Sequence, residues 1–149
     1  MKRAVIVICD SLRADLITPQ DAPFLSEFGG RSARFANHRA YFEWFEEARN
    51  RYLEAVGLAP LSSNAPGPVI AETGIRYHRP LAYADEILVG ARTVRLGNTS
   101  FDMEYAVWRD GLCALGRAVL ILVVNATGEK TPLPPELRES ILALDPGVQ

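Results

Sequence analysis

Residues 33–57 read ARFANHRAYFEWFEEARNRYLEAVG, and the conformation of this stretch limits how everything after it can be arranged. Stepping about 100° per residue gathers Tyr41, Phe42, Trp44, Phe45, Ala48, Tyr52, Leu53, Ala55 and Val56 on one broad half of a cylinder. Glu43, Glu47, Asn50 and Glu54 fall opposite. The spacing predicts a helix over 41–56 that buries a wide aromatic face. Glu46 lies at the border of that face and Arg49 inside it, one turn apart, where the two can pair. Gly57 is placed to end the helix in a left-handed conformation, and Asn37 to cap its start by accepting from an orphan amide.

A long apolar helix needs a layer to lie on, and the following residues supply one. Extended segments are expected near Val69–Arg79, Asp85–Leu96, Ser100–Arg109 and Leu112–Asn125. In the third, Phe101, Met103, Tyr105 and Val107 alternate with Asp102 and Glu104, the period-two pattern of a half-buried strand. Gly97-Asn98 and Asp110-Gly111 are hairpin turns by composition, which predicts an antiparallel meander. Pro134-Pro135 opens a last helix running to Leu144, since a missing amide costs nothing in a first turn. Before residue 33, Lys2–Cys9 reads as a buried strand ended by Asp10 and Ser11. Pro23–Phe28 reads as a short helix with Asp21 near its cap, stopped by Gly29-Gly30.

The chain has 149 residues, 48% of them hydrophobic, which suits one compact domain or a domain with an N-terminal appendage. Net charge is −2 with scattered cations, so neither a nucleic-acid nor a polybasic membrane partner is expected. The apolar runs from Ala4 and Ala118 are far shorter than the roughly 20 residues a bilayer requires. No signal-peptide pattern follows the N-terminus, and cytoplasmic residence is the expectation. Cys9 and Cys113 stand singly and read as core residues, with no metal-ligand spacing.

The segments NHRAYFEWFEEARNRYLEAVG, IRYHRPLAYADEI, VRLGNTSFDMEY and GRAVLILVV, in this order over about residues 37–145, resemble the 4-hydroxybenzoyl-CoA thioesterase group of the hotdog superfamily. The resemblance implies an α+β hotdog fold, an antiparallel sheet wrapped around a central helix, here with an atypical N-terminal strand-helix segment. It also implies acyl-CoA thioester hydrolysis, with coenzyme A as part of the substrate and no other cofactor, in a homodimer or homotetramer. The first forty residues, AVIVICDSLRADLITPQDAPFLSEFGGRSARFANHR, instead resemble the opening of alkaline-phosphatase-superfamily enzymes, in which an Asp placed like Asp10 binds a metal. With only His38 and His78 in the whole chain, the remaining ligands of such a centre are missing, and no metal is expected. The expected division is an atypical segment over 1–36 and a thioesterase-like domain over 37–149.

In the Asp-dependent members of the family, an Asp and a Gly precede the central helix, and helix-start amides stabilise the oxyanion. Here Phe35-Ala36 runs directly into Asn37. Glu46, judged the least solvent-facing carboxylate of the helix, is the substitute acid by position, or else a structural partner of Arg49. Asp10 is another, provided that its strand takes the first-strand place and Ser11–Ala36 loops out. Asn37 and His38 stand at the helix start, as cap and site residue and as substrate-orienting residue or acid. His78 reads as structural. Arg92, Arg95 and Lys130 are the cations that could meet coenzyme A phosphates. The alternative is a catalytically silent hotdog shell that binds acyl-CoA or only itself.

Overall fold

A computed structural model of the chain describes residues 5–10 (backbone), 36–58, 65–82 and 85–149. The elements are β1 (Val5–Asp10), α1 (His38–Ala55), β2 (Pro66–Tyr77), β3 (Glu86–Leu96), β4 (Ser100–Trp108), β5 (Leu112–Val124) and α2 (Pro135–Leu144). The expected 23–28 helix and its cap residue Asp21 lie outside the described residues.

The five strands form one antiparallel sheet in the order β1-β3-β4-β5-β2. The meander holds for β3, β4 and β5, whose turns are the expected hairpins: Asp110 has φ 51° and Gly111 φ 132°, both left-handed. It fails for β2, which crosses to the far edge and pairs with β5 from Pro66 opposite Val124 to Tyr77 opposite Ala114. The physical reason is local. No tight turn joins Tyr77 to Glu86, so nothing in the sequence forces those two strands together. The boundary drawn at residues 36 and 37 does not interrupt the sheet, because β1 is paired along β3 from Val5 opposite Ala91 to Asp10 opposite Glu86. Beyond β1, the same edge of β3 is continued by the chain's end, where Leu96 N donates to Gln149 O and Gln149 N to Val94 O.

α1 lies against the inner face of this sheet. Ala40, Tyr41, Trp44, Phe45, Ala48, Tyr52 and Leu53 are buried, while Ala55 is exposed. Opposite them on β4, Phe101, Met103, Tyr105 and Val107 are all buried, and Asp102 and Glu104 point away, as their alternation requires. Closest approach occurs at Phe45, which stacks on Tyr105 at 4.8 Å between ring centroids with 18° between planes. The space comes from Gly116, paired across from Tyr105. A β-carbon there would overlap the Phe45 ring, standing 2.6 Å from its Cζ.

A buried polar node ties α2 to this core. Asp145, just after α2, accepts from the Tyr52 hydroxyl at 2.7 Å and the Thr93 amide at 2.8 Å. Burial raises the Tyr52 hydroxyl above its ordinary value, and the Asp145 carboxylate raises it further.

Two measurements follow from this packing. Gly116→Ala should lower urea-unfolding stability by about 1–3 kcal/mol through overpacking, and the same substitution with Phe45→Leu should recover part of the loss. For Tyr52, the folded state holds its proton more tightly than the unfolded one. Stability therefore stays intact below the ordinary tyrosine range and falls as pH rises above about 10. Tyr52→Phe should flatten that alkaline decline in unfolding midpoints measured across pH.

Candidate active site

The start of α1 is built from its own sequence. Asn37 adopts an extended backbone, φ −81° and ψ 166°, and its side chain accepts from Ala40 N at 3.3 Å. Helix geometry leaves the amides of His38 and Arg39 with no intrahelical acceptor. The residue before the cap is held as well, since Ala36 N donates to Leu81 O at 2.6 Å. Leu81 belongs to the connection between β2 and β3, so this hydrogen bond brings that connection to the helix start.

The connection is braced at several points. His78 N and Arg79 N both donate to Cys113 O, at 2.8 and 3.1 Å, and Arg79 Nη1 donates to Asp110 O at 3.2 Å. Further along, the buried Asp85 carboxylate accepts from Ala82 N at 2.8 Å and pairs with Arg109 at 2.5 Å. Between this arch and the helix start lies a cavity of about 440 Å³. Its described lining is Ala36, His38, Tyr41, Tyr77, His78, Arg79 and Pro80. Tyr41 and Tyr77 meet edge to face at 5.0 Å. Both hydroxyls are raised from their ordinary values chiefly by burial, with Cys113, Tyr77 and Asp85 adding to the effect at Tyr41. Both rings therefore stay neutral at physiological pH, and the described lining holds cationic or titratable nitrogen but no carboxylate.

The sequence candidates are distributed unevenly about this cavity. Asn37 and His38 are at it. Asp10 is described by its backbone alone, which lies opposite Glu86 at the β3 end adjoining the arch. Glu46 is not the least solvent-facing acid of α1. It is exposed, whereas Glu47 is half-buried and pairs with Arg51. Arg49 does not meet Glu46 among the ion pairs of the described residues; its charge opposes the larger effect of burial, which raises the Tyr105 hydroxyl above its ordinary value. Eight residues beyond His38, Glu46 also stands about 12 Å further along the helix axis.

Arg92 and Arg95 lie on the outer face of the sheet, paired with Glu104 at 2.5 Å and Asp102 at 3.1 Å. They line a separate groove of about 700 Å³ that shares no described residue with the helix-start cavity. Lys130 bridges to Val123 beyond β5. Among the described residues no cluster of three or more His, Cys, Asp or Glu could hold a metal, and no helix is long and apolar enough to cross a membrane. His78 is the residue that sequence reasoning passed over at this cavity. The signal available was its place beside Pro80 in a connection with no hairpin turn, which gave no hint that the connection folds back onto the helix.

Comparison with known proteins agrees with this geometry. The profile of the thioesterase-like superfamily matches residues 32–141. A thioesterase from Thermus thermophilus, solved with coenzyme A and Zn, is 30% identical, with 97% of this chain and 96% of that one covered and a TM-score of 0.72. A protein from Pseudomonas aeruginosa is 25% identical, covers 99% and 96%, and has a TM-score of 0.76. A 1,4-dihydroxy-2-naphthoyl-CoA thioesterase from Synechocystis, 15% identical over 95% and 97% with a TM-score of 0.73, shares the fold. No curated protein sequence matches the chain. None of these matches is to an alkaline-phosphatase-superfamily enzyme, so that resemblance of the first forty residues is not supported, and the profile match is to the superfamily rather than to its 4-hydroxybenzoyl-CoA group.

The cap that organises the cavity is open to a direct check. Asn37→Ala should cost about 1 kcal/mol, seen as a fall of about 2–4 °C in thermal midpoint for a domain of this size, while circular dichroism keeps the native helix content.

Proposed function

Because the chain belongs to the thioesterase-like superfamily, we propose that it hydrolyses acyl-CoA thioesters at the cavity before α1. The observation that carries this reading is the cavity's position. It opens where the His38 and Arg39 amides have no intrahelical acceptor, and where the positive end of the helix dipole favours a developing oxyanion. The Thermus thermophilus neighbour solved with coenzyme A supports a CoA-type ligand. In this reading the carbonyl oxygen is held by the two amides, Asn37 fixes the turn that presents them, and Tyr41 and Tyr77 form the apolar wall against the acyl group.

The acid is Asp10. Its backbone reaches the end of the sheet that adjoins the helix start, and its carboxylate attacks the thioester carbon or deprotonates the attacking water. Glu46, exposed and far along the axis, would reach this cavity only from a second copy of the chain. Coenzyme A serves as part of the substrate, with no further cofactor. The protein works in the cytoplasm as a homodimer or homotetramer. The oligomer is supported by β2, the strand at the edge opposite β1, where Val69 is 51% exposed and Ile70 and Tyr77 are also open.

One observation favours a second reading. Phe35-Ala36 stands where the family's Asp and Gly would precede Asn37, which suits a silent shell that binds acyl-CoA without cleaving it. Thiol release from short-chain and aromatic acyl-CoAs separates the two. Turnover that falls by about 100-fold or more in Asp10→Asn supports the hydrolase. Saturable CoA binding with no turnover in the unaltered protein selects the silent shell, and an unchanged rate in Asp10→Asn removes that residue from the chemistry.

A further inference from the structure

The face of the sheet turned away from α1 carries its charges in a fixed order. The register sets Arg92 on β3 directly opposite Glu104 on β4, and Glu104 opposite Arg117 on β5. Arg117 in turn reaches Glu72 on β2 at 2.7 Å, as Arg92 reaches Glu104 at 2.5 Å. Read from β3 to β2, this belt is positive, negative, positive, negative. We propose that the outer face is an interface between two copies of the chain, related by a two-fold axis that runs along the strands between β4 and β5. The inference is independent of the chemistry proposed above and concerns a surface other than the β2 edge.

The order of the charges selects the occupant. A two-fold rotation about an axis along the strands reverses the belt, so a second copy laid on the face sets its Glu72 against Arg92 and its Arg117 against Glu104. Every position then meets the opposite sign, and by symmetry each contact occurs twice. The four side chains are open to solvent, so they are free to take such contacts. A partner of one sign, such as a nucleic acid or an anionic membrane, would meet as many repelling groups as attracting ones. The neighbouring pair of Arg95 and Asp102 adds one charge of each sign and leaves that balance unchanged.

The apolar surface beside the belt fits the same arrangement. Trp108 and Leu115 are each 41% exposed and line the outer groove together. Gly90 lets the indole lie down on the sheet, since a β-carbon there would stand 3.5 Å from Trp108 Cζ3. The result is a flat aromatic platform at the hairpin end of β4, the kind of side chain that anchors protein interfaces. An axis along the strands keeps the hairpin ends of both copies together, and it lays Trp108 of one copy over β5 of the other, beside Leu115. Sheets that pack face to face in the aligned class keep their strands within about 30°, which this axis permits. Four strands at their usual spacing and about nine residues of rise give a face of roughly 600 Å². Two such faces exceed the roughly 1,000 Å² in total that a specific interface requires.

Sedimentation of the full chain at micromolar concentration tests the interface, with Trp108→Glu, Arg92→Glu and the double variant Arg92→Glu/Glu72→Arg beside the parent. Each single variant should halve the mass of the parent particle or weaken its association by about tenfold or more, while circular dichroism stays native. The double variant should recover the parent mass. Within one chain residues 92 and 72 stand three strands apart, about 14 Å, so that recovery can arise only between copies. A parent that sediments as a monomer overturns the proposal, and so does a parent mass unchanged by both single variants. Failure of the double variant to recover association overturns the belt pairing on which the axis rests. Thiol release plays no part in these readings, so a silent protein that assembles in this way leaves the interface standing while the hydrolase reading falls.

Discussion

Everything in this protein is positioned by how deeply α1 can sink onto its sheet. Phe45 stacks on Tyr105 in the space left by the missing side chain of Gly116, so the helix approaches β4 and β5 more closely than any larger residue would allow. Interiors packed like crystals do not deform smoothly, and this contact fixes the helix in depth. It does not fix the helix along its axis. That is done by polar contacts at either end, with Ala36 bonded to Leu81 before the cap and Tyr52 bonded to Asp145 near the helix's close.

The two ends have different consequences. At the Tyr52 end the carboxylate of Asp145 is buried and shared between a side-chain hydroxyl and the Thr93 amide, an arrangement that locks the tail of α2 to the core. Nearby, the terminal residue extends the open edge of β3 that β1 leaves uncovered. At the Asn37 end the polar groups are left facing a cavity. The same requirement that buried amides and carbonyls find partners makes one end structural and leaves the other chemically available.

Asp85 shows how the arch over that cavity keeps its shape. A nearly buried carboxylate is costly unless paired, and here it is satisfied by the Ala82 amide and the Arg109 guanidinium. The turn from β4 to β5 thereby supports the connection from β2 to β3, through Arg109, Asp110 and the Cys113 carbonyl together. Crossing β2 to the far edge of the sheet is what makes such an arch necessary, since its chain must return over the helix start to begin β3.

Much of this architecture was legible in the residues themselves. The 3.6-residue spacing of aromatics in α1, the strict alternation of β4, the two hairpin turns, the Asn37 cap, the Gly57 stop and the prolines before α2 are local rules, and local rules survive folding. The sequence alone therefore determined the elements, their faces and the shell of sheet around helix. Tertiary structure alone decided which edge β2 joins, that Val5–Asp10 lines β3, that Glu46 is exposed, and that His38 and His78 share one cavity. Those outcomes depend on contacts between residues far apart in the chain, where no periodicity or turn preference carries information about which partner will be met.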